Sequence, residues 1–359
     1  MTAPNRQSHT LFLEILTDAP LTHGQGSNGN EQEILRREVR ISRVDPVTGK
    51  WRSSVENIPM ISGASFRAKL RQQALMNACA LMMIPDGSFE KDKWRLLTKG
   101  GHLDGSGKAV NVEETRQICE MFPMLRLFGA MDNSLRLTGS LKVDHVTPYC
   151  REMLYGGLIP ESEHFRFWTG DPNDPTWPAF ADEPPSYLEA TGSKPVTYYR
   201  QDGASGPSAR LLAVAERNQI ADNQAKIAAL VSTGAKVEKE DRREANESMP
   251  HAFQAIIKGT PLYTILRTDP VTDVEFACLI HALGSWKQMG AHLGGAEAKG
   301  HGHCRVRIAG SFTSGASNNA IEPTALAIPN TADPHAPLRL AYEAHMKANA
   351  ERARKWIAE

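Results

Sequence analysis

The chain has 359 residues, 41% of them hydrophobic, and its 41 basic and 41 acidic side chains cancel to zero net charge. That is enough apolar material for a real core, while the zero balance argues against a free-standing, non-specific nucleic-acid binder. No stretch reaches the eighteen or so uninterrupted apolar residues of a membrane span, and the opening MTAPNRQSH lacks a signal peptide's apolar segment, so a cytoplasmic protein without membrane contact is expected.

In chain order, residues 10–16 (TLFLEIL) read as a short core strand, followed by a glycine- and asparagine-rich loop. Residues 34–44 alternate Val39 and Ile41 against Arg40 and Ser42, a strand with a basic face whose DPVTGK turn closes a hairpin. From Ser65 a helix is expected, with Phe66, Leu70, Ala74, Ala78 and Leu81 as its buried stripe. Residues 85–133 read as irregular with short helical pieces near Trp94 and over 112–121, and 135–143 as a strand. Residues 147–202 read as a long extension, 209–231 as a helix, and 252–267 as a strand with a central glycine. A helix over 272–288, a glycine loop over 290–302, a strand over 303–309 and an amphipathic helix over 338–357 complete the chain. Without the insertions the order is strand, helix, strand, strand, helix, strand. That is an α+β, ferredoxin-like (RRM-type) core: one domain over 1–359 with arms at 34–57 (hairpin), 85–134 (helical) and 145–250 (thumb-like).

Charge is uneven along the chain. Residues 34–71 hold nine basic and three acidic side chains, net +6; residues 152–189 hold eight acidic and one basic, net −7. Opposite patches suit a basic groove for a polyanion, or head-to-tail contact between copies. Ser62 and Ser65 are N-cap candidates, and Arg67, Lys69 and Arg71 crowd the first two turns of the helix that follows. Cations are unfavourable at the positive end of a helix dipole, so this start reads either as a phosphate receptor or as a solvated basic face beside a core helix.

The glycine loop fails as a nucleotide-hydrolysing P-loop. After G-x-x-x-x-G at 295–300 come His301 and Gly302 where Lys and Ser/Thr belong. A flexible backbone remains, carrying Lys299 and leading to Arg305 and Arg307, which can approach phosphates closely. His292, His301, His303 and Cys304 make no convincing zinc set, because neighbours on a strand point to opposite faces. No metal or cofactor is expected. His9, His23 and His102 leave acid–base catalysis open, with no nucleophile–base pair apparent. Five widely spread cysteines (79, 119, 150, 278 and 304) read as reduced, mostly buried thiols.

Together these stretches resemble the CRISPR-associated RAMP superfamily. IPMISGASFRAKLR resembles its IPGSSLRGxLR signature, PLTHGQG its post-strand LHIGxG loop, and LRLFG its LFG element. IIKGTPLYTILRTD resembles the strand vpxGTxF, and HLGGAEAKGHGHCRVRI the final glycine loop and strand. The matches fall in family order from residue 10 to 309. The long arms resemble those of the backbone subunit that polymerises along guide RNA, most like the type IV version.

The resemblance implies that Ser62, Gly63, Ser65, Arg67, Lys69 and Arg71 hold crRNA phosphates. It also implies that Gly294, Gly295, Lys299, Gly300, His301, Gly302 and Arg305 line the same groove, with His23, Gly24, Arg37 and Arg40. Part of 145–250 would fold over the RNA as a thumb. Implied partners are crRNA, a complementary target nucleic acid, further copies of the chain and other CRISPR effector subunits. Target-cutting relatives carry an aspartate in the loop after the first strand; residues 19–44 here have none, so a non-catalytic subunit is expected. A RAMP-type endoribonuclease with a loop histidine as base, or an interaction module without RNA, are the alternatives.

Overall fold

The first strand, Ser8–Thr17, lies between two others in the main sheet, and both faces of that sheet are covered. The computed structural model describes residues 6–28, 31–44, 48–101, 111–132, 135–159, 184–190, 196–199, 250–295, 297, 300–314 and 335–359. In chain order the elements are β1 (Ser8–Thr17), β2 (Gly24–Asn28), β3 (Glu31–Ile34), β4 (Arg36–Val44), β5 (Trp51–Pro59), α1 (Gly63–Met82), α2 (Lys91–Lys99), α3 (Val112–Met121), α4 (Met124–Phe128), β6 (Ala130–Asp132) and β7 (Leu135–Leu137). They continue with β8 (Leu141–Val143), β9 (Thr147–Pro148), α5 (Arg151–Tyr155), α6 (Tyr187–Ala190), β10 (Val196–Tyr199), β11 (Pro250–Phe253), β12 (Pro261–Thr268), α7 (Asp273–Gln288), β13 (Cys304–Ser314) and α8 (Ala336–Ala358). This is an α+β fold. The thumb-like helix expected over 209–231 lies outside the described residues.

The chain divides into two compact units, one of Met1–His23, Leu35–Thr191 and Ile256–Glu359, the other of Gly24–Ile34 with Gly192–Ala255. In the smaller unit the strand order is β10-β11-β3-β2, with β3 and β11 parallel and the other pairs antiparallel.

In the larger unit the central sheet runs β13-β1-β12-β8, all antiparallel, with β9 also on β12. β1 pairs with β12 from Thr10↔Arg267 to Leu16↔Pro261 and with β13 from Ser8↔Ser314 to Thr17↔Cys304. A register shift between Phe12 and Leu13 marks a bulge in the second pairing. The expected strand over 135–143 splits into β7 and β8, and the one over 252–267 into β11 and β12.

Helix α1 packs against α7, and both pack against α8. Its buried stripe is Phe66, Leu70, Ala74 and Ala78 as expected, finished by Met82 rather than Leu81. α7 starts at a capping box. The Thr272 hydroxyl accepts from the Glu275 N–H while the Glu275 carboxylate accepts from the Thr272 N–H. The other face of the sheet is not open to solvent. Phe12, Leu16, Tyr263 and Ile265 pack with Val39, Ile41 and Ile58 of the β4–β5 hairpin and with Tyr149, Met153 and Tyr187. Four of the five free thiols, Cys119, Cys150, Cys278 and Cys304, are buried. Burial pushes Cys150, Cys278 and Cys304 up to about 12, which makes them unreactive.

Candidate nucleic-acid interface

Three stretches distant in sequence meet at the start of α1. The first is the helix start itself. Ile61 exchanges two backbone hydrogen bonds with Val146, which holds the turn between β8 and β9 beside it. The Gly63 N–H donates to His145 Nδ1 at 3.1 Å, and the Ser65 N–H to Ser62 Oγ at 3.1 Å. Glycine is required at 63, since an added Cβ would lie 2.1 Å from the Val143 carbonyl oxygen. Among the described residues, these caps leave Ala64 as the exposed residue of the first turn with an unspent N–H.

The second stretch is the loop after β1, where His23 Nε2 lies 3.3 Å from Ser62 Oγ. The third is the glycine loop, stitched to that same loop by backbone bonds. Gly295 N–H donates to Thr22 O (2.8 Å), Gly302 N–H to Pro20 O (2.9 Å) and Asp18 N–H to His303 O (2.8 Å). Gly294 has φ +73°, and a Cβ there would sit 2.1 Å from Thr22 O, so close approach of the two loops requires glycine.

Two ion pairs tie the cations of this face to carboxylates that the sequence reading missed. Lys69 Nζ lies 3.0 Å from Glu297 Oε2, and Arg305 Nε 3.1 Å from Asp18 Oδ1. Both pairs are partly exposed, and the Lys69 hydrogen bond holds the Glu297 carboxyl below the usual carboxylate range. Such pairs are worth at most about 1 kcal/mol each, so a phosphate can displace the carboxylate. His145 was missed too, although a histidine in the turn before a Thr-Pro pair gives no periodic signal.

Three residues implied for this groove, and Arg307 on the strand after the glycine loop, do something else. Arg71 is buried, and its guanidinium donates to Leu97 O (2.8 Å), Gly129 O (2.8 Å) and Leu96 O (2.9 Å). Burial, then the Arg67 charge, lowers it to about 10. It is an internal clamp on the ends of α2 and α4, not a phosphate ligand. Arg67 donates to Phe128 O at 2.8 Å, and burial lowers its pKa as well. His301 is only 1% exposed, and Arg307 is engaged by Glu14 on β1. Arg37 and Arg40 are exposed on β4, Gly24 opens β2 of the smaller unit, Gly300 sits at an exposed turn, and Lys299 lies outside the described residues.

Burial, with the neighbouring His145 as a lesser cause, lowers the pKa of His23, so its imidazole is neutral at pH 7. His9 is not in a loop. It sits on β1, buried and stacked on Phe276 with ring centroids 3.6 Å apart, and burial lowers it to about 4. His102 lies outside the described residues. Among the described residues no group of three or more His, Cys, Asp or Glu side chains is placed to hold a metal ion, and no helix is long and apolar enough to cross a membrane.

No protein-family model matches the chain, and no curated protein matches it. Among solved structures it is similar to a chain described as "Type IV-B CRISPR Complex", at 18% identity and a TM-score of 0.43, over 83% of this chain and 90% of that one.

Proposed function

We propose that this chain is a non-catalytic, guide-RNA-binding subunit of a CRISPR effector complex, of type IV character, that polymerises along crRNA. The observation that carries the reading is the convergence at one face of the loop after β1, the start of α1 and the glycine loop. These are three of the stretches that resemble the RAMP superfamily, and they bring Ser62, Ser65, Lys69, His23 and Arg305 together. Lys69 and Arg305 are held by exchangeable surface pairs, so phosphates can take the places of Glu297 and Asp18. Arg37 and Arg40 extend the positive charge along the hairpin arm. The covered second face of the sheet offers no platform for stacking bases, which favours backbone holding and leaves base edges free to pair with a target.

The reading is tested by expressing the chain with its repeat RNA and sizing the nucleic acid that co-purifies. RNA of uniform length, released over a modest rise in salt, is the expected result. A preparation with no absorbance at 260 nm defeats it. One arrangement favours the endoribonuclease reading as a rival: His23 and His145 flank Ser62 at a helix start, two imidazoles where a strand's 2′-hydroxyl and phosphate could sit. Cleavage of precursor RNA that disappears in His23→Ala would select that reading.

A further inference from the structure

Away from this face, a pocket of about 390 Å³ is lined by three arginines from three separate segments, Arg6, Arg126 and Arg136. Arg6 precedes Gln7, which exchanges two 2.9 Å backbone bonds with Val271 at the entry to α7. Arg126 lies on α4, and its carbonyl accepts from the Ser140 N–H at 3.1 Å. Arg136 lies on β7, paired with Met131 of β6. The backbone therefore fixes all three attachment points. One carboxylate reaches the pocket, Glu275, buried in its capping box with Arg126 Nε 3.9 Å from it. Among the described residues Arg6 and Arg136 have no acidic partner. The lining is thus left with a surplus of about two positive charges, on groups whose planar forks match phosphate oxygens.

The geometry points to a site for a nucleotide phosphate, separate from the crRNA groove. The volume falls in the range of small-molecule sites rather than that of a bare ion. Leu137 and Pro270 offer an apolar wall for a base, and Thr138 an added hydroxyl. The phosphate can belong to a free nucleotide or to a nucleic-acid strand passing over the pocket. The site does not depend on the crRNA reading, because none of its residues belongs to that face.

Isothermal titration of the full chain in about 50 mM salt tests the assignment, with uridine 5′-monophosphate and a uridine decanucleotide as probes. Three proteins are compared: wild type, R6Q/R136Q and K69Q/R305Q. Arg6 and Arg136 are exposed, so R6Q/R136Q is expected to melt with the wild type, and the single R136Q serves if it does not. The expected result is that R6Q/R136Q binds the mononucleotide about tenfold or more weakly than wild type, and that K69Q/R305Q loses less mononucleotide affinity than R6Q/R136Q does. A parallel loss of decanucleotide binding in R6Q/R136Q identifies a strand phosphate as the natural occupant; loss confined to the mononucleotide identifies a free nucleotide. No mononucleotide binding by wild type, an unchanged R6Q/R136Q, or equally tight binding of citrate overturns the assignment. K69Q/R305Q losing decanucleotide binding while keeping mononucleotide binding supports a pocket separate from the crRNA groove.

Discussion

Glu14 on β1 and Arg307 on β13 stand directly opposite in the antiparallel register, and their side chains form an ion pair on a carboxylate with no solvent exposure. Removing one partner leaves the other buried and uncompensated, so Arg307→Ala is expected to cost about 3–5 kcal/mol. Replacing both by leucine should restore most of that loss, because a packed apolar pair avoids desolvation. Urea unfolding of the two variants checks it. An Arg307→Ala protein as stable as wild type would refute the pairing.

Arg71 and Lys69 lie two residues apart on α1 and should respond oppositely. Arg71→Ala strands at least three carbonyls that it now satisfies and should destabilise the fold by about 2–4 kcal/mol. Lys69→Ala, like Arg305→Ala, should shift stability by only a few tenths of a kcal/mol. Either surface change should instead weaken RNA binding and reduce the salt slope by about one unit. Thermal melts beside filter binding at several salt concentrations separate the two classes. Equal melting losses for Arg71→Ala and Lys69→Ala would count against the division.

Stability should fall on acidification. The folded chain holds His9 neutral down to about 4, whereas the unfolded chain protonates it near 6.5. Protons bind the unfolded state preferentially in that window, so stability is present above pH 6.5 and is lost as pH drops towards 4, by about 3 kcal/mol for this group. His281 and His335, also lowered by burial, act in the same direction. Urea midpoints at about pH 7 and pH 4.5 measure the loss, and His9→Phe, which keeps the stack on Phe276, should show a shallower dependence. A wild-type midpoint that does not move across this range excludes the effect.

RNA binding should depend on pH in the opposite sense. A phosphate brought beside His23 stabilises the imidazolium, raising a pKa that burial depresses in the free chain. Affinity should rise as pH falls from about 7.5 to 6, with proton uptake on binding, and His23→Gln should flatten the profile. Titrations in buffers of different ionisation enthalpy detect the uptake; their agreement to within error would remove His23 from the groove.

Local periodicity made the core legible. The β-forming composition of residues 10–16 marks a strand buried along most of its length, the spacing of four from Phe66 to Ala78 marks a helix face on the core, and the cap candidate Ser62 marks that helix's start. Arg71 was misread because its partners, Leu96, Leu97 and Gly129, are distant in sequence and are backbone oxygens, which leave no trace in residue type. A signal existed: Arg71 precedes Leu75, Ala78 and Met82 at helical spacing, so it starts on a buried stripe. The motif stretches were found in order, but their carboxylate partners Asp18 and Glu297 were not, since an ion pair across two loops obeys no spacing rule.

The pairing of β1 has a consequence for biosynthesis. Both of its neighbours in the sheet, β12 and β13, are encoded more than two hundred residues later. Closing so wide a loop is slow, and until Pro261–Thr268 leaves the ribosome the apolar LFLEIL segment is an unpaired edge open to other nascent chains. Translation thus orders events, with the hairpin and α1 free to form early and the sheet completed only near the end of synthesis. A chain cut before Cys304 should be recovered in the insoluble fraction even though α1 and the β4–β5 hairpin are intact.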